Sequence, residues 1–104
     1  MKTDELSNRL TVRCGGMTTG EVADVFGVGR PKAWRSLRAL ELRGLLVGEA
    51  RDRHGDYVER KDDGRPATVG GEILWFAPMD GENEGASDRS LRAAVEIRNA
   101  LGGE

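Results

Sequence analysis

The stretch EVADVFGVGRPKAWRSLRALELRGLL, residues 21–46, constrains the fold of this chain more than any other. Two segments with apolar residues at helical spacing meet at Gly27-Val28-Gly29. A glycine at position 27 takes positive φ at a helix end, Val28 turns inward, and Pro31 suits the first turn of a following helix. Just upstream, Thr18-Thr19-Gly20-Glu21 has the form of a capping box, with Thr18 at the N-cap and Glu21 at N3. Met17 and Val22 stand where a hydrophobic staple packs. The pattern predicts a helix ending at Phe26 that buries Val22, Val25 and Phe26, then a sharp corner. A second helix follows from about residue 30 to Arg43, closed by Gly44.

The direction of the second helix follows from its period. At about 100° per residue, Ala33, Leu37 and Leu40 fall within about 60° of one another and make the buried seam. Trp34 lies at the flank, while Pro31, Arg35 and Arg38 lie opposite the seam. Residues 30–43 hold Arg30, Lys32, Arg35, Arg38 and Arg43 against Glu41 alone. Local sign outweighs the chain's total charge of −2, because salt screens charges beyond about 10 Å. A helix exposing cations and a proline at its N-terminal half is shaped to enter a DNA major groove. On this reading Arg35 and Arg38 present paired N–H donors to guanine, and Lys32 touches a phosphate. Arg30 and Pro31 belong to the same surface. The plain alternative is a solvated helix face.

The flanking segments are less sharply marked. Residues 4–13 predict a first helix, with Leu6 and Leu10 one turn apart. Leu45-Leu46-Val47 starts a strand, and Ile73 to Ala77 is the clearest strand, stopped by Pro78. Between them the chain is polar, with turn signals at 54–56 and 62–64. Asp63-Gly64 suits a type I′ hairpin turn, and Tyr57-Val58 adds a short strand. Arg51, Arg53, Arg60, Lys61 and Arg65 balance Asp52, Asp56, Glu59, Asp62 and Asp63 there. Arg65 is placed to reach a minor groove, and the alternative is a neutral, solvated loop. Residues 79–87 read as an acidic linker. Ser87 caps a last helix over 88–102 whose stripe of Leu91, Ala94, Val95 and Leu101, widened by Ile97, must be buried somewhere. It packs either on the first helix or on the same helix of a second copy. The second choice, a homodimer through this helix, is the expectation.

The order Thr19, Val22-Ala23, Phe26-Gly27-Val28, Arg30, Ala33, Leu37, Leu40, Gly44-Leu45 resembles the helix-turn-helix of winged-helix transcriptional regulators of the MarR, IclR and ArsR kind. The likeness covers residues 18–47 and, more loosely, runs to 77. A MerR-type reading of residues 17–28 is disfavoured by the preceding helix and the Leu37/Leu40 seam. The resemblance implies an α+β, mainly α, winged helix-turn-helix over residues 1–78. Its parts are a three-helix core and a two-stranded β wing, followed here by an extra C-terminal helix. It implies a sequence-specific double-stranded DNA-binding protein, a transcriptional regulator that inserts helix 30–43 in the major groove. Trp34 stands where such regulators carry a small or polar residue, and the 51–71 loop is longer than theirs. Trp34 stacks against the wing or first helix, or touches a thymine methyl. Thr18 and Thr19 offer donors to a phosphate at a helix start. The alternative function is a winged-helix protein-interaction module without DNA binding, favoured by the acidic total and the bulk of Trp34.

Other classes find little support. No apolar run reaches the roughly 18 residues that span a bilayer. The first residues, MKTDELSNRL, lack an apolar h-region, which makes the cytoplasm the expected location. Cys14 is the lone cysteine and His54 the lone histidine, too few for an intrachain disulfide or a metal set. No phosphate-binding glycine loop and no catalytic constellation stands out, so the expectation is a non-enzyme without cofactor or metal.

Overall fold

The computed structural model describes residues 1–78 and 87–102. Along the chain come α1 (Thr3–Arg9), a 3₁₀ turn (Val12–Cys14), β1 (Met17–Thr18), α2 (Thr19–Phe26) and α3 (Arg30–Leu42). These are followed by β2 (Val47–Arg51), β3 (Glu72–Phe76) and α4 (Asp88–Leu101). The result is an α+β domain of four helices and one antiparallel three-stranded sheet among the described residues.

The helix ends follow local chemistry. Glu21 N–H donates to the Thr18 hydroxyl at 3.1 Å, and Thr18 N–H to the Glu21 carboxylate at 3.0 Å, which completes the capping box. Gly27 (φ 64°) and Gly44 (φ 79°) end α2 and α3 in the left-handed region that favours glycine. At each corner an N–H reaches back five residues: Val28 to the Ala23 carbonyl at 3.0 Å, and Leu45 to the Leu40 carbonyl at 2.9 Å. α1 stops earlier than its leucine spacing predicts. The Thr11 hydroxyl donates to the Asn8 carbonyl at 2.7 Å and accepts from Cys14 N–H at 3.3 Å, so the chain tightens into a 3₁₀ turn instead of continuing to residue 13. Leu6 and Leu10 are nonetheless both buried.

The sheet has the order β1-β3-β2, with Met17 opposite Trp75 and Val47 opposite Phe76. The expected two strands pair as read, but Met17-Thr18 adds a third on the other edge of β3. β2 starts at Val47 rather than Leu45, because Leu46 is drawn into the core at the corner. The 51–71 segment carries two isolated bridges, Arg51 with Tyr57 and Arg60 with Pro66. Its second turn closes through Gly64 N–H to the Lys61 carbonyl at 2.8 Å and Lys61 N–H to the Arg65 carbonyl at 2.7 Å. Only Gly64 has positive φ there, so the turn is not the type I′ that Asp63-Gly64 suggested, which needs two such residues.

α2 and α3 cover one side of the core, which Trp75, Met17 and Leu37 fill. α4 belongs to the same core. It lies along α1 and touches α3, with Ala93, Ala94, Ile97 and Leu101 buried and a Ser7–Ser90 hydroxyl pair at 2.9 Å sealing the contact. The stripe read as a dimerisation face is thus partly covered within the domain. Ala94 and Leu101 are spent inside the domain, and only Leu91 and Val95 remain about two-fifths exposed. Of the acidic segment 79–87, residues 79–86 lie outside the described residues, and Ser87 is the N-cap of α4 as read. Among the described residues no helix is long and apolar enough to cross a membrane.

A candidate nucleic-acid interface

α3 is oriented as its period demands. Ala33, Leu37 and Leu40 are buried, and Arg30, Pro31, Lys32 and Arg35 are exposed. Burying a leucine is worth about 1.5–3 kcal/mol, enough to set the helix's rotation against any preference of surface arginines. Beside its N-terminal half the chain leaves a cleft of roughly 360 Å³. Arg30, Pro31 and Trp34 form one wall, and Lys61, Arg65 and Pro66 the other. Thr19 and Gly20 supply the floor, and Glu72 sits among its lining groups.

Each wall is held from behind. Trp34 is half-buried, its ring 5.8 Å from that of Trp75 and tilted by 56°. The buried Trp75 Nε1 donates to the Thr19 hydroxyl at 2.9 Å, tying β3 to the start of α2. The Arg65 guanidinium lies 5.0 Å from the Trp34 ring centroid and 3.6 Å from the Asp63 carboxylate. Arg65 therefore leans back on α3 rather than extending from the loop tip. Arg30 lies across Gly20, where a Cβ would stand 2.8 Å from its Nη2. Both threonines serve the fold: Thr18 caps α2, and the Thr19 oxygen accepts from Trp75.

Arg38 departs from the outward position that the wheel assigns it. Its Nη1 donates to Glu41 Oε1 at 2.6 Å, and Arg60 donates to the same carboxylate at 2.6 and 2.7 Å. Arg60 also reaches the Gly64 and Gly48 carbonyls at 2.8 and 3.0 Å, while Gly48 N–H donates to Glu41 at 3.1 Å. Side-chain exposures of 26%, 14% and 22% for Arg38, Glu41 and Arg60 make this a largely covered cluster. Burial alone pushes the Glu41 carboxyl up. The hydrogen bonds from Arg60 and Arg38, with their charges, outweigh that and hold it below the ordinary glutamate value. The Glu41 hydrogen bond raises Arg60 in turn. Neither Glu41 nor Arg60 stood out as a site residue in the sequence. The available signal was that Glu41 is the single acid on a basic helix, three residues from Arg38.

The remaining cations divide cleanly. Among the described residues Arg30, Lys32, Arg35 and Lys61 make no ion pair, whereas Arg9, Arg43 and Arg51 each do. Two of the loop's acids are spent on turns. Asp52 accepts from the N–H groups of Asp56 and His54, which with its other contacts lowers its pKa, and Asp63 accepts from Arg65 N–H at 2.9 Å. Cys14 is exposed, and no three metal-ligating side chains converge among the described residues. Comparison with known proteins finds no matching family model, no similar curated protein and no similar solved structure.

Proposed function

We propose that this chain is a sequence-specific double-stranded DNA-binding protein of the winged helix-turn-helix kind, acting as a transcriptional regulator. α3 is its reading helix, and the β2–β3 hairpin with its 51–71 loop is its wing. One observation carries the reading. The exposed N-terminal half of α3 gathers Arg30, Lys32 and Arg35 without ion pairs, and Lys61 and Arg65 line a cleft together with Arg30. Unpaired cations on a rigid, groove-sized rod suit a polyanion, because each phosphate they neutralise releases a condensed counterion. Arg35 takes the base contact and Lys32 a phosphate. Regulation follows from occlusion or recruitment at an operator. A homodimer through α4 has only Leu91 and Val95 left to use.

The test is fluorescence anisotropy of a labelled random duplex with the full chain at low salt. Binding is expected, and Arg35→Ala with Lys32→Ala weakens it without changing the circular dichroism. No binding even at about 25 mM salt removes the DNA reading and leaves a protein-interaction module of the same fold.

A further inference from the structure

We propose that the cleft between α3 and the 61–73 segment is a binding site for a small organic phosphate carrying a planar ring, of the mononucleotide class. At roughly 360 Å³ its size suits such a ligand. Its lining is mixed in the way that class requires. Arg30, Lys61 and Arg65 supply charge for the phosphate, Trp34, Pro31 and Pro66 supply flat apolar surface, and Glu72 accepts from a ribose hydroxyl or an exocyclic amine.

The groups are placed in advance. Arg30 rests on the buried Gly20, Trp34 leans on Trp75, and the turn bearing Lys61 is closed by its N–H bond to the Arg65 carbonyl at 2.7 Å. The ring face of Trp34 already takes a flat group, since the Arg65 guanidinium lies 5.0 Å from its centroid. A nucleobase replaces that guanidinium on the indole, and Arg65 is released to meet the phosphate. A duplex offers phosphates, but its bases are stacked away from such a cleft, so a ring and a phosphate together describe a free nucleotide. Because Arg30 and Pro31 also belong to the proposed DNA surface, nucleotide and duplex compete, and the cleft becomes an effector site.

The experiment titrates the full chain with adenosine monophosphate, followed by tryptophan emission and calorimetry. Saturable binding with Kd between about 10 μM and about 1 mM is expected, with adenosine alone and inorganic phosphate alone each at least about tenfold weaker. Arg30→Ala with Lys61→Ala weakens binding at least about tenfold, and Arg13→Ala, outside the cleft, leaves it unchanged. Lys61→Ala alone, on an exposed turn, keeps the test readable if the double variant unfolds. Three results overturn the proposal: no saturation, inorganic phosphate binding as well as the nucleotide, or indifference to the cleft variants. The duplex assay is run separately. Loss of nucleotide binding with duplex binding intact defeats this proposal alone, and the converse defeats the DNA reading alone.

Discussion

Arg35 and Arg38 lie within one turn of α3, carry the same charge and have opposite surroundings. Around Arg35, in the helix's N-terminal half, exposed cations make no ion pair among the described residues. Around Arg38, in the C-terminal half, Glu41 and Arg60 close a covered cluster that also reaches the Gly48 and Gly64 backbone. The difference teaches that charge on a helix face is not one property. Where another segment folds over the helix, the charge fastens that segment. Where none does, it stays available to a partner.

The broadest way to break this comparison is salt. If Arg30, Lys32, Lys61 and Arg65 each meet a phosphate, the affinity for duplex DNA falls about 10²-fold between about 50 and about 200 mM salt. A flat response in the anisotropy titration means that these cations are not used together. The next effect falls on stability. Glu41→Ala leaves two largely covered guanidinium groups uncompensated and costs about 2–3 kcal/mol, below the full range for deeply buried pairs because the cluster keeps some solvent. Urea unfolding measures it, and a loss under about 0.5 kcal/mol means that the cluster does not fasten the loop.

A sharper comparison exchanges the two arginines. Arg35→Ala costs about 1–3 kcal/mol of affinity for a selected duplex and leaves the melting temperature in place. Arg38→Ala lowers the melting temperature and changes base preference little. Equal effects of both on binding erase the distinction. The smallest effect is in acid. Glu41 titrates below its ordinary 4.5 in the folded chain, so the unfolded chain takes up the proton first and protonation favours unfolding. Its contribution is fully present above about 4.5 and is lost as pH falls toward the depressed folded value. Glu41→Gln flattens that part of the pH–stability curve, and an unchanged slope assigns the acid loss to other carboxylates.

Much of the frame was legible because it rests on short-range chemistry. The Thr18/Glu21 box, the corners at Gly27 and Gly44, the Ala33/Leu37/Leu40 seam and the strand before Pro78 each need only neighbours a few residues away. What escaped depends on distant chain. A two-residue strand such as Met17-Thr18 is too short for alternation to show. Arg60 reaches Glu41 across 19 residues, and a helical wheel contains no information about what lies over it. The stripe on α4 announced that it must be covered, but periodicity is the same whether the cover is α1 or a second molecule. Trp34 was legible as a flank residue that stacks on the wing or first helix, and Arg65 as a cation for a minor groove, but the contact of Arg65 and Trp75 with the Trp34 ring was not.

Gly20 gives the cleft an unusual vulnerability. The three atoms nearest a methyl group there all belong to the movable tip of Arg30, the closest at 2.8 Å, and Gly20 stands in the first turn of α2, where alanine has less chain freedom to lose than glycine. The smallest possible side-chain addition at this position thus displaces a guanidinium of the cleft before it meets backbone, so the charge of that wall can be altered from a position that carries none.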